Sequence, residues 1–226
     1  MTSLLFRTKP AAVLFDMDGT LVDTEPYWML AETELVAEFG GTWTHAEAMA
    51  MVGMGLWDSS VILQRAGVDL SADDIVAWLS SRVTEQLEGG FPWRPGAREL
   101  LKSTKDAGIP TALVTMSLRR MADAVAGAVG FVGFDVIVAG DEVTHAKPHP
   151  APYLRAAELL GVDITACVAV EDSEPGVASA VASGASTVAV PLHKPIEPDP
   201  AFTLWTSLDG RTIDDLCDVL AARVSA

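Results

Sequence analysis

Ala12-Val13-Leu14-Phe15-Asp16-Met17-Asp18-Gly19-Thr20 is the stretch that decides the fold of this 226-residue chain. Four apolar residues in a row, without polar alternation, suit a strand buried on both faces of a parallel sheet. Two carboxylates follow at a spacing of two, so a strand end can point them the same way. Gly19 then permits a sharp turn beside them. In open α/β sheets the carboxyl ends of the strands are the edge that binds ligands.

Four further apolar runs repeat the first, at 110–114, 134–139, 167–170 and 187–190. The segments between them read as helices with recognisable ends. Pro95 stands ahead of a helix over 97–107 that Gly108 closes. Ser117 is placed to cap a helix running to Gly130. Pro148 and Pro150 precede a helix closed by Gly161, and Pro175 starts one that Gly184 ends. This alternation predicts an α/β fold, a doubly wound parallel sheet with right-handed crossovers.

More than ninety residues separate the first two strands, too many for one crossover. Within them Trp28, Ala31, Leu35 and Phe39 form a helical stripe, and Ser71 with Asp74 caps a second helix carrying Ile75, Trp78, Leu79, Val83 and Leu87. An inserted helical cap is expected over 24–90, with the catalytic core formed by 1–23 and 91–226. Trp28, Trp43, Trp57, Trp78 and Trp93 fall in or beside the insertion and read as its own small core.

Composition narrows the function. The chain carries 31 Asp+Glu against 15 Lys+Arg, a formal net charge of −16. Without a basic face, neither nucleic acid nor an anionic membrane surface is an expected partner. No run reaches the 18 apolar residues of a membrane helix. The short run Leu4-Leu5-Phe6 precedes its charges, Arg7 and Lys9, whereas a signal peptide reverses that order. Cys167 lies in an apolar run and is expected to be a buried, reduced thiol. A cytoplasmic monomer is expected.

Four chemically active features fall at strand ends. Beside Asp16 and Asp18 these are Thr115 with Ser117, which offers hydroxyls near a helix N-terminus suited to phosphate oxygens; Lys147, one of five lysines; and the acidic pair Glu171-Asp172. Converging carboxylates repel and call for a cation, and an all-oxygen set favours Mg²⁺. A cation, Lys147 and Thr115 around one point make an apparatus for phosphoryl transfer. His149 reads as a helix-start residue, and Arg119 and Arg120 as a solvated helix face. Ser173 near His149 lacks an orienting partner for a serine triad.

Taken together, Asp16-Met17-Asp18-Gly19-Thr20, Thr115, Lys147 and Glu171-Asp172 resemble the haloacid dehalogenase superfamily, over about residues 11–190. The resemblance implies a Rossmann-like core with a helical cap and a Mg²⁺-dependent phosphatase. It makes Asp16 the nucleophile that forms an aspartyl-phosphate, and Asp18 the acid and then the base. The Asp16 carboxylate, the Asp18 carbonyl and Asp172 would hold Mg²⁺, with Glu171 in direct or water-mediated contact. Thr115 and Lys147 would grip the phosphoryl group. Phosphonate-cleaving relatives need a cap lysine, and 21–92 contains none. The β-phosphoglucomutase relatives place polar anchors where Trp28 and Leu56 stand here. The start Asp23-Thr24-Glu25-Pro26 resembles sugar-phosphate phosphatases, so a small phosphorylated metabolite is the expected substrate. Glu25 either reads a sugar hydroxyl or serves the hinge, and Ser117 is a further candidate substrate contact. The mutase is the alternative, and a phosphoaspartate receiver domain is the rival from another class; receivers lack both a cap and a second Asp like Asp18.

Overall fold

The computed structural model describes residues 8–224, so the reading of the Leu4-Leu5-Phe6-Arg7 segment lies outside the described residues. The chain opens with β1 (Ala12–Phe15) and continues with four helices, α1 (Glu25–Glu38), α2 (His45–Met51), α3 (Leu56–Arg65) and α4 (Ala72–Gln86). Then come α5 (Ala97–Asp106), β2 (Thr111–Val114), α6 (Arg119–Ala128), β3 (Val136–Val138) and α7 (Ala151–Leu160). The last part holds β4 (Cys167–Glu171), α8 (Glu174–Ser183), β5 (Ser186–Ala189), β6 (Thr203–Leu204) and α9 (Ile213–Val224). Among the described residues, no helix is long and apolar enough to cross a membrane.

The strands form one sheet in the order β3-β2-β1-β4-β5-β6, every pair parallel. The chain winds outward from β1 through β2 to β3, then returns to the other side of β1 for β4, β5 and β6. The order therefore reverses between β1 and β4, where such sheets open a crevice for ligands. Both faces of the sheet are covered, as the unbroken apolar run of β1 requires. Val13 and Phe15 pack with Leu100, Leu101, Met121, Val125 and Leu216 on one face. Ala12 and Leu14 pack with Tyr153, Ala156 and Ala180 on the other. Burying one such Leu or Phe contributes about 1.5–3 kcal/mol.

The segment between β1 and α5 is helical, as expected, but it holds four helices where the sequence pattern marked two. The α2 helix begins with a capping box, Thr44 with Glu47, and α3 starts at Gly55 without a side-chain cap. Trp28, Leu35, Leu63, Ile75, Leu79 and Val83 join a cluster continuous with the sheet face of Val13 and Phe15. Trp57 is 39% exposed instead of buried, its indole bonded to Asp73. Two chain crossings join this segment to the sheet. They pair antiparallel at Val22 and Trp93, with Asp23 N–H donating to Pro92 O at 2.8 Å and Arg94 N–H to Leu21 O at 2.8 Å.

Two other expectations change. Ser117 does not cap α6: the N-cap is Leu118, with no side-chain cap bond, because the Ser117 hydroxyl is engaged elsewhere. The strand over 134–139 shortens to Val136–Val138, and the edge strand β6 and the C-terminal helix α9 were not marked.

Candidate active site

The parallel register brings the ends of β1, β2 and β4 side by side, since Phe15 pairs with Leu113 and with Val170. Asp16 and Glu171-Asp172 follow directly from those pairs, and Thr115 follows one residue later, after Val114. The loop after α6 and β3 supplies Lys147. Its ammonium donates to Asp16 Oδ1 at 2.7 Å, to Glu171 Oε1 at 2.6 Å and to the Val114 carbonyl at 2.9 Å. All three side chains are buried.

Asp16, Glu171 and Asp172 bring carboxylate oxygens within 4.8 Å of one another. One ammonium cannot balance three acids. Burial, with Glu171 adding to it, pushes the Asp16 carboxyl up to about 7 despite Lys147. Burial likewise lifts Asp172 well above the usual carboxylate range, with Asp16 and Glu171 contributing. Burial alone would lower the Lys147 ammonium, but Asp16 and Glu171 outweigh it and raise it. Asp16 Oδ2 is buried with no hydrogen-bond partner, an arrangement that costs stability unless something completes it. An unbalanced, all-oxygen set with an orphaned carboxylate oxygen fits a hard divalent cation.

Asp18 lies apart from that cluster. Its Oδ2 accepts from the Thr115 hydroxyl at 3.0 Å and the Ser117 hydroxyl at 2.7 Å, and its Oδ1 from the Thr24 hydroxyl at 2.5 Å. The Trp28 indole adds a longer contact to Oδ1 at 3.5 Å. So Thr115 and Ser117 meet Asp18 at the mouth of the acidic site, and Thr24 ties it to the start of α1.

Residues that sequence reasoning passed over hold these groups in place. Tyr153, from α7, donates its hydroxyl to Glu171 Oε1 at 2.6 Å, leaving Glu171 fixed between Tyr153 and Lys147. Arg94, at the second crossing, is buried and donates to Gly19 O at 2.6 Å and Val190 O at 2.7 Å. Only the fold reveals these two, because their partners lie 18 residues away for Tyr153 and 75 and 96 for Arg94.

Gly19 has φ +82°, and a Cβ there would overlap the Asp172 carboxylate. Gly19→Ala is expected to cost about 1–3 kcal/mol in stability through backbone strain and to displace Asp172. Thermal unfolding with and without Mg²⁺ checks this. A variant with the wild-type melting temperature and the wild-type Mg²⁺-induced shift would contradict it.

The other candidates find ordinary places. His149 stacks on His145 with ring centroids 4.5 Å apart, and its Nδ1 accepts from Ala151 N–H at 3.2 Å. Arg119 pairs with Asp123 and Glu142. Arg120 is more than a solvated residue: it donates to the Ser81 hydroxyl at 2.7 Å, linking α6 to α4. Ser173 is the N-cap of α8, accepting from Gly176 N–H. Cys167 is a buried free thiol.

One cavity runs from the acidic site into the inserted helices. Asp16, Asp18, Thr115, Ser117, Lys147 and Asp172 line it from the strand ends and their loops; Glu25, Trp28, Glu32, Leu56 and Ser59 line it from the inserted helices. Glu25 thus lines the cavity and also starts α1. Burial, with the Asp18 charge adding to it, pushes its carboxyl up to about 7.

The family profile of haloacid dehalogenase-like hydrolases matches residues 10–184. Hexitol phosphatase B of Escherichia coli (strain K12) is 30% identical over 214 residues, covering 91% of this chain and 96% of that protein. The fructose-1-phosphate phosphatase YqaB of the same organism is 32% identical over 184 residues, covering 80% and 97%. A crystal structure of CbbY from Rhodobacter sphaeroides in complex with xylulose-(1,5)bisphosphate superposes with a TM-score of 0.81 at 29% identity, covering 89% and 96%.

Proposed function

The chain belongs to the haloacid dehalogenase-like hydrolases and is a phosphoric monoester hydrolase; from that premise we propose that it releases phosphate from a small phosphorylated sugar or polyol, through a phosphoryl group carried on Asp16. The observation that carries the reading is the orphaned Asp16 Oδ2 in a side chain that shares Lys147 with Glu171. A divalent cation, Mg²⁺ by the chemistry of the donors, would be held by the Asp16 and Asp172 carboxylates and the Asp18 carbonyl, with Glu171 in direct or water-mediated contact. When bound it would offset the charge of the phosphate and keep Asp16 ionised.

Asp16 attacks phosphorus as the bond to the ester oxygen breaks. Lys147, hydrogen-bonded to Asp16, lowers the repulsion between two anions. Thr115 and Ser117 offer hydroxyls to the phosphoryl oxygens, and their release from Asp18 frees its carboxyl to act. Asp18, protonated, gives its proton to the leaving alkoxide. Water then attacks phosphorus, Asp18 takes its proton, and the bond to Asp16 breaks to return the free carboxylate and inorganic phosphate. The inserted helices over 24–90 serve as a cap that moves on the crossings near 22–25 and 89–94 and keeps stray water from the phosphorylated Asp16. Arg120 bonded to Ser81, and Lys194 to the Ala50 and Val52 carbonyls at 3.2 and 3.0 Å, would hold it closed. A cytoplasmic monomer acting on free metabolites completes the reading.

The mutase alternative requires groups for a second phosphate while the intermediate turns around. Trp28 and Leu56 line the cavity at the places noted above, and Arg82 in the cap is paired with Glu34. Burying a phosphate dianion against apolar residues is costly. A phosphate-release screen over hexitol and hexose phosphates with Mg²⁺ tests the main reading. With β-glucose 1-phosphate, primed by β-glucose 1,6-bisphosphate, isomerisation is expected to stay at least about tenfold below phosphate release, for want of a distal cation. Isomerisation at an equal or higher rate would make the mutase reading correct.

A further inference from the structure

Glu32 is a buried acid that the mechanism above does not use. It lies on α1 within the apolar stripe, between Trp28 and Leu35, and is only 5% exposed. It also lines the cavity, from the inserted helices. The Trp43 indole donates to its Oε2 at 3.1 Å, and among the described residues nothing donates to its Oε1. That oxygen is not sealed from solvent as Asp16 Oδ2 is, so water can satisfy it until a ligand hydroxyl takes its place. Burial pushes the carboxyl up to about 8 against the Trp43 bond. Burial thus favours the uncharged acid, which can donate to a hydroxyl as well as accept from one.

Position agrees with that chemistry. Glu25, Trp28 and Glu32 follow at i, i+3 and i+7 and share one face of α1. The helical rise puts Glu32 about 10 Å along the axis from Glu25, away from the phosphoryl site. Charge agrees as well. Lys147 is the one cation among the lining residues, and it is bonded to Asp16 and Glu171. Lys194 acts on Glu25 from nearby, but its ammonium is bonded to the Ala50 and Val52 carbonyls and does not line the cavity. A second phosphate on the α1 side of the cavity would face Glu25 and Glu32 with no free lining cation to meet it.

We propose that Glu32, oriented by Trp43, hydrogen-bonds a substrate hydroxyl remote from the phosphate, and so selects phosphomonoesters with an uncharged, hydroxylated far end over bisphosphates. The proposal rests on the phosphatase reading above and adds the residue that sets its specificity.

The test measures kcat/KM with Mg²⁺ for glucitol 6-phosphate, glucitol 1,6-bisphosphate and p-nitrophenyl phosphate, which carries no hydroxyl to read. Wild type should prefer the monophosphate to the bisphosphate by about 100-fold or more, the range expected when a phosphate dianion is desolvated with no cation to pair it. Glu32→Leu should lower the ratio of glucitol 6-phosphate to p-nitrophenyl phosphate by about tenfold or more, chiefly through KM, as for a lost hydrogen bond in a binding pocket. Glu32→Gln, which keeps both a donor and an acceptor, should hold that ratio within about threefold of wild type. An equal loss on both substrates in Glu32→Leu would make Glu32 merely structural, and an unchanged ratio would remove it from recognition; either overturns the proposal, as does a bisphosphate cleaved as fast as the monophosphate. A wild-type protein that cleaves no phosphomonoester would instead refute the phosphatase reading and take this proposal with it.

Discussion

Asp16→Asn is expected to release phosphate about 10³-fold or more slowly than wild type on any substrate, the scale of losing a nucleophile. Asparagine keeps the shape of the side chain but cannot attack phosphorus. It also removes one of three acids that crowd a single ammonium. The ionised Asp16 is disfavoured in the fold, its carboxyl being pushed up to about 7 chiefly by burial. The variant should therefore melt no lower than wild type in EDTA, and Mg²⁺ should stabilise it less. Wild type should lose its activity in excess EDTA and regain it with Mg²⁺. In Asp18→Asn, phosphorylated protein should accumulate from an activated ester, because attack can proceed while hydrolysis lacks its base. Phosphate release is followed by a coupled assay, and the phosphoenzyme by mass. Full activity of Asp16→Asn, or of wild type in EDTA, would sink the mechanism.

Lys147→Met is expected to harm both folding and catalysis, and this sets it apart from Asp16→Asn. Methionine fills similar volume but leaves buried Glu171 and Asp16 facing each other without a counter-charge. Removing one partner of a buried ionic group costs about 3–5 kcal/mol. For a chain of this size that corresponds to a melting temperature lower by about 10 °C. Turnover should fall about 10³-fold or more, since the attack then joins two uncompensated anions. Calorimetry and phosphate release measure the two effects. A melting temperature equal to that of wild type would mean that Lys147 does not balance the acids, and the electrostatic account of the site would fail.

The reason both variants concentrate on a few positions also explains which parts of the molecule a linear reading can reach. The strand Ala12–Phe15 and its acidic continuation were legible because local patterns carry them. An unbroken apolar run demands burial on both faces, and Asp16 and Asp18 stand two apart whatever the rest of the chain does. Helix ends such as Ser71, Gly161 and Gly184 were legible for the same reason, since their partners lie within one turn. The Thr44 and Glu47 capping box was equally local, so α2 was available in the pattern. Ser117 misled because a hydroxyl before a helix has two uses, and tertiary contact with Asp18, 99 residues away, decided between them.

Glu32 stood in plain view as a charged residue inside an apolar stripe, and Trp43 follows 11 residues later. Whether such a residue faces solvent, a buried partner or a cavity depends on what packs opposite, here α2 and α4, and helical periodicity does not encode that. Tyr153 and Arg94 could not be recognised at all from their neighbours, because each acts on carbonyls or carboxylates that only the closed sheet and its crossings bring near. Chemistry written in short spacings belongs to the chain alone: the acidic pair, the hydroxyl, the lysine and the order in which they come. Their convergence on one point, the shared ammonium and the charge of the cavity's far end belong to the folded molecule, because burial and long-range proximity set the cost of each charge.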